Sequence, residues 1–241
     1  MALRPRATPP SMPDPTLADS IQVRVWDLPT RIFHWVLALT LVGSVISAKI
    51  GGNATPWHFR LGYLVMGLLV FRLLWGLVGG RWSRFASFVY APRTLLRYLL
   101  GRTAAHEHLD VGHNPLGSLS VFALLGLAML QVATGLVADD EIANTGPLNR
   151  FVSSQLASYA TGWHKGWGRG ILITLVVLHV AAIVFYRVRR KQDLVRPMIL
   201  GDKALPAGTP ASADGLAQRL LAVALAAVCA GLVVWVVRLG S

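Results

Sequence analysis

Five runs of apolar residues constrain this chain more than anything else in it, because each is close to the roughly 20 residues that a helix needs to cross a bilayer. They cover Ile32–Ile50, Phe59–Val78, Leu116–Val137, Gly166–Tyr186 and Leu220–Val237. In hydrocarbon every backbone N–H and C=O must be satisfied within its own segment, so runs of this length fold as α-helices. Pro29, Pro56 and Pro115 stand before the first three, where a helix's opening turn tolerates proline. An all-α membrane protein is expected.

Charge orients the spans. Charged residues make up only 14% of the 241, yet the net charge is +12, which in a soluble protein would raise nucleic acid as a partner. Here Lys and Arg sit between the apolar runs and not on one face, so lipid is the expected partner and nucleic acid is not. Arg4, Arg6, Arg24 and Arg31 precede the first run, Arg81, Arg84, Arg93, Arg97 and Arg102 follow the second, and Arg187, Arg189, Arg190, Lys191, Arg196 and Lys203 follow the fourth. The alternate connections offer Lys49, then Arg150 beside Asp139, Asp140 and Glu141, then Arg238. By the positive-inside rule the N-terminus is cytoplasmic and the C-terminus outside.

The segments between spans differ in character. Residues 1–22 are proline-rich with no apolar stretch of a signal peptide, so a disordered cytoplasmic segment is expected there. APRTLLRYLLG alternates leucine and arginine at helical spacing and suits the inner membrane surface. Ala138–Gly162 is longer than tethering two helices requires and is the expected outer docking surface. Residues 200–218 read as a polar linker to the fifth span, 219–241, whose Ala227 and Gly231 form a small-residue pair suited to helix packing. That span carries no histidine, and a peripheral role is expected. The single cysteine, Cys229, allows no internal disulfide, and no CxxCH is present to attach haem covalently.

Four histidines lie in or beside the spans: His34, His58, His164 and His179. Ionisable side chains at such depth are costly and by default mark function. His164 and His179 are 179 − 164 = 15 positions apart, about 22 Å of rise on one helix, so each would lie near a different membrane face. With alternating spans, His34 falls level with His179 near the inner face and His58 level with His164 near the outer. Two imidazoles at one level suit the two axial positions of a haem iron, whereas zinc would ordinarily want four ligands.

Other residues support the pattern. Gly62 and Gly168 each sit four positions after a histidine, on the same face one turn on, where a missing side chain leaves room for a flat ring or for close helix packing. Arg72 is 72 − 58 = 14 positions beyond His58, about 21 Å inward, where it pairs with a haem propionate or snorkels to headgroups. His106, His108 and His113, in HEHLDVGH, read as a solvated loop. Trp57, Trp82, Trp163 and Trp167 flank the spans as an interfacial belt would.

With RIFHW at Arg31–Trp35, WHFRLGY at Trp57–Tyr63, GHNPLG at Gly112–Gly117 and the paired histidines of the fourth span, the chain resembles the bacterial cytochrome b561 and hydrogenase-type cytochrome b family over roughly Val23 to Pro197. The resemblance implies a four-helix transmembrane bundle over residues 23–199, holding two b-type haems on His34, His58, His164 and His179, with the C-terminal fifth helix as an addition. It places the chain in a bacterial inner membrane. The interval of 15 is one longer than the near-four-turn spacing of the family, which places His164 in a distorted first turn.

The resemblance further implies electron transfer between the quinone pool and a periplasmic redox protein, such as a cytochrome c or a hydrogenase. Some relatives instead oxidise superoxide and reduce quinone without a protein partner, and that alternative stays open, as does a homo-oligomer. Arg60, Lys165 and Arg169 favour superoxide capture weakly, while Asp139, Asp140 and Glu141 oppose it. A colourless anchor or transporter would leave the two-level pairing a coincidence.

Overall fold

The computed structural model describes residues 20–102, 109–140 and 144–240. Five helices are long and apolar enough to cross a membrane: α1 (Leu28–Ile50), α2 (Thr55–Val78), α4 (Pro115–Val137), α6 (Trp167–Arg189) and α8 (Leu216–Arg238). The shortest has 23 residues, about 35 Å of rise, which exceeds the hydrocarbon thickness. Among the described residues three shorter α-helices lie between them, α3 (Pro92–Leu99), α5 (Ser154–Lys165) and α7 (Val195–Leu200). Local chemistry sets the starts: Asp27 caps α1 by accepting from Thr30 N at 2.8 Å, and Asn114 caps α4 by accepting from Gly117 N at 2.7 Å, each with proline in the first turn.

Helix α2 is the central post, with α1, α4 and α8 packed against it, while α5 and α6 pack on α4 and on each other. Its core joins Phe33, Val65, Leu69, Phe71, Trp75, Leu125, Ala128, Ala222 and Cys229. Phe71 and Trp75 stack at 5.8 Å between ring centroids. The span that includes α6 is only 6% buried along its most apolar stretch, against 39% for α2. So α6 stands at the edge of the bundle, with faces open to lipid and towards α1.

Three expectations are corrected. Residues 200–218 are no simple linker: β2 (Asp202–Pro206) pairs antiparallel with β1 (Ser20–Arg24), from Ser20 opposite Pro206 to Arg24 opposite Asp202. Residues 20–22 are therefore strand, and residues 1–19 lie outside the described ones. Val23, Val25, Trp26, Val111 and Leu205 form a second, smaller core under this ribbon.

The fifth helix is not peripheral. Ala222, Leu225, Cys229 and Val236 recur at helical spacing and join the main core or are buried with it, and Val233 reaches within 3.1 Å of where a Cβ on Gly67 would sit. Its Ala227 and Gly231 instead face outward, because the packing notch is provided by Gly67 on α2. Both ends of α8 are tied. At its start the Asp214 carboxylate accepts from Leu28 N at 3.0 Å and pairs with Arg24, Arg31 and Arg219. At its end Arg150 donates to Leu239 O at 3.0 Å, and Gly240 is pressed so close to Pro147 that a Cβ would meet its Cα at 2.4 Å.

Candidate functional site

The fold brings the four histidines together as two pairs. His34 on α1 and His179 on α6 have ring centroids 6.4 Å apart; His58 on α2 and His164 on α5 are 5.9 Å apart. An imidazole ring has a radius of about 1.15 Å, so at these distances the nearest nitrogens are at best about 3.6 Å apart, too far to hydrogen-bond each other. Two axial metal–nitrogen bonds of about 2.0 Å would put the centroids about 6.3 Å apart. The spacing therefore fits a donor set of two imidazoles facing one metal centre. Among the described residues no cluster of three or more His, Cys, Asp or Glu is placed to hold a metal ion.

Helices other than their own orient the rings of the second pair. His58 Nδ1 donates to Ser44 O on α1 at 2.9 Å, and His164 Nδ1 donates to Gln131 O on α4 at 2.9 Å. A carbonyl oxygen only accepts, so each Nδ1 carries the proton and each neutral ring keeps its Nε2 lone pair for a ligand role. Gln131 Nε2 also donates to His164 O at 3.1 Å. In the first pair His34 packs edge-on against Trp35, whose Nε1 donates to Met198 O on α7, while Arg31 Nη1 donates to Ile199 O. His34 Nδ1 is buried without a hydrogen-bond partner.

His164 and His179 do not share one continuous helix, as their apolar run suggests. His164 closes α5, and the chain breaks at Gly166, where φ is −102° and ψ −107°, before α6 begins. A Cβ on Gly166 would meet Gly162 O at 2.7 Å, so the break needs a residue without one. The interval of 15 therefore crosses a break and is not one straight helix.

The two expected glycine gaps differ. A Cβ on Gly62 would meet nothing within 4 Å, so space is open beside His58. At Gly168 it would sit 2.1 Å from Gln131 Oε1 and 2.5 Å from Trp163 Nε1, so the room expected there for a flat ring is taken by helix packing. Arg72 does not snorkel: it is 3% exposed, its guanidinium lies 4.7 Å over the Phe85 ring, and its Nη1 has no partner. Of the tryptophans, Trp57 and Trp167 are exposed as a belt requires, whereas Trp82 donates inward to Pro210 O and Trp163 Nε1 is buried. The connection after α4 holds an Asp139–Thr145 bridge, then α5. Asp139, Asn149, Arg150, Ser154 and Ser158 line a cavity of about 330 Å³ there.

One residue defies its reading as solvated loop. His113 is packed between Trp26 at 4.7 Å and Phe88 at 4.6 Å, with Nδ1 buried and unpartnered. Burial first, then the charges of Arg72, His179 and His34, lower its pKa to about 3. Its neighbours are wired to α6 and α3: Asn114 Nδ2 donates to Tyr186 Oη at 2.9 Å, and the Tyr98 and Tyr186 hydroxyls lie 3.2 Å apart. His106 and His108 lie outside the described residues.

The family described as prokaryotic cytochrome b561 matches residues 25–201. A protein of Bradyrhizobium diazoefficiens named "Probable Ni/Fe-hydrogenase B-type cytochrome subunit" is 23% identical over 212 residues, covering 75% of this chain and 85% of that protein. The "Probable Ni/Fe-hydrogenase 1 B-type cytochrome subunit" of Escherichia coli is 23% identical over 210 residues, covering 73% and 88%. A third such subunit, from Rhodobacter capsulatus, is 24% identical over 215 residues, covering 75% and 81%. No solved structure matches the chain.

Proposed function

Since the chain belongs to the prokaryotic cytochrome b561 family, and is thus a multi-pass, haem b-binding membrane protein of electron transfer, we propose that it holds two haems on two bis-histidine sites and links quinone to a redox protein outside. The observation that carries the reading is the pair of interimidazole distances, 6.4 and 5.9 Å, at opposite ends of the bundle. Haem supplies one-electron chemistry that no side chain here offers.

The chain's own residues hold and orient. His34 and His179 serve the inner site, and His58 and His164 the outer. Ser44 and Gln131 carbonyls fix the outer rings through Nδ1, and Gly62 leaves open space beside His58. Arg72, buried at the depth of the inner pair, supplies a positive charge to a haem propionate. With two imidazoles offered at each site, a haem bound there would carry electrons and would not bind oxygen.

The lysines and arginines of the other connections favour a periplasmic position for the α4–α5 segment and the end of α8. The polar cavity at Asp139 and Arg150 belongs to that surface, where a hydrogenase-like or cytochrome c partner docks. The test is haem per chain and reduced-minus-oxidised spectra for the purified protein, His34→Ala and His58→Ala. Two b-type haems, with each variant losing a different one, are expected. One haem unaffected by either change refutes the assignment. Superoxide consumption with quinone and no protein partner would establish the alternative role.

A further inference from the structure

Two buried nitrogens on different elements share one aromatic enclosure, and neither hydrogen-bonds to a histidine of either pair. Arg72 on α2 lies over Phe85; the Phe85 ring is 5.9 Å from Phe88, and Phe88 packs on His113, with Trp26 on the far side of that imidazole. Arg72 Nη1 and His113 Nδ1 are both buried without a hydrogen-bond partner. A buried donor left unmade is costly, and a buried guanidinium more so. Asp27, the nearby carboxylate, is already committed to Thr30 N, Trp75 Nε1, Gly80 N and Ser83 Oγ.

We propose that Arg72 and His113 together form a carboxylate-binding site whose ligand is a propionate of the haem held by His34 and His179. The inference rests on the haem assignment above and adds His113 to it. A carboxylate is acceptor-only and carries one negative charge, so it satisfies Arg72 Nη1, selects the Nδ1–H tautomer of His113 and compensates the guanidinium at once. Asn114, next to His113, donates to Tyr186 on α6, the helix that carries His179, and Trp26 lies just ahead of α1, which carries His34, so the enclosure lies towards this pair and not towards His58 and His164. Three aromatic rings leave little room for hydrated headgroups, so a group already fixed in the bundle fits better than free phosphate.

The test is a redox titration resolving the two haems in the full purified chain, with the rate of haem release to an acceptor protein. His113→Phe keeps the ring's bulk and removes its donor; His113→Gln restores an N–H. The expected result for His113→Phe is a lower midpoint potential for the inner haem alone, because the propionate charge is less neutralised and the ferric state gains. Its haem release rises about tenfold, and Gln recovers most of both. Arg72→Gln lowers the same potential further.

Reconstitution with haem dimethyl ester removes the propionate charges and should make wild type and His113→Phe alike. A difference that persists with the ester, or an inner-haem potential unchanged in both His113→Phe and Arg72→Gln, overturns the site. Retention of both haems by His34→Ala refutes the underlying assignment, and this proposal with it.

Discussion

Asp27 is the residue on which the inner end of the bundle most depends, and replacing it gives a graded prediction. Its carboxylate is 0% exposed and accepts from Thr30 N at 2.8 Å, Trp75 Nε1 at 3.1 Å, Gly80 N at 3.0 Å and Ser83 Oγ at 2.7 Å. It thereby caps α1, anchors the buried indole of α2 and holds the turn after α2. In Asp27→Ala the Ser83 hydroxyl can rotate, but three N–H groups are stranded. At about 1–3 kcal/mol each that is about 3–9 kcal/mol. Asp27→Asn keeps Oδ1 for Thr30 and Trp75, yet turns an amide NH2 towards the Gly80 N–H and removes the charge that acts on Arg72. One stranded donor and weakened charge-assisted bonds give about 2–4 kcal/mol. Thermal unfolding in detergent, followed by tryptophan fluorescence, should rank wild type above Asn above Ala. At about 2–4 °C per kcal/mol for a chain of this size, Ala should lose at least 6 °C. An Ala variant melting within about 2 °C of wild type, or Asn melting below Ala, would refute the account.

Gly168→Ala should selectively weaken the outer haem, because its Cβ displaces the Gln131 side chain that also bonds His164 O; overpacking of this kind costs about 1–3 kcal/mol, and haem spectra at equal chain concentration check it. Gly62→Leu should fold, since nothing lies within 4 Å of the added Cβ, yet lose the outer haem by filling the space beside His58. In haem-free protein His113 titrates near 3 when folded and near 6.5 when unfolded. The unfolded chain then binds the extra proton between those values, so stability is full above pH 6.5 and falls as pH drops towards 3, by about 1.4 kcal/mol per unit. Melting at pH 7 and pH 5 should show a smaller loss in His113→Phe than in wild type, the remainder coming from histidines common to both. Asp214→Ala leaves Arg24, Arg31 and Arg219 without their shared carboxylate and Leu28 N without its acceptor. Limited proteolysis should then cut faster between β2 and α8, while both haem spectra persist.

The sequence disclosed what depends on local length and spacing. Each of the five spans ends or begins within about four residues of its helix, because apolar run length and proline position are one-dimensional quantities. The histidine partners were legible for the same reason: depth follows from counting residues inward from a span's end. What needed three dimensions was hidden. DKALP at 202–206 is too short and too mixed to show a strand's alternation, and it becomes one only because β1 lies beside it. Gly168 reads like Gly62 until Gln131 arrives from α4. His113 sits in a stretch rich in polar residues, and its burial comes from Trp26, 87 positions upstream by subtraction, and Phe88. Two signals could have singled it out: its place in GHNPLG, and its position just before the Asn114 cap and Pro115 at the start of α4.

The helices divide into two groups, and the histidines are distributed between them in a way that gives the cofactor a structural role. Helices α1, α2 and α8 pack together, as do α4, α5 and α6, and the α2–α4 contact is the main direct packing between the groups. Each histidine pair takes one member from each group: His34 of α1 with His179 of α6, and His58 of α2 with His164 of α5. The orienting carbonyls, by contrast, come from within a group, Ser44 of α1 for His58 and Gln131 of α4 for His164. Each half therefore presets its own ring, and a group ligated by both rings would join the halves. Ligand binding of this kind adds its free energy to the folded state. The low burial of the α6 span follows from the same division, since one of its faces is turned towards α1 across the site.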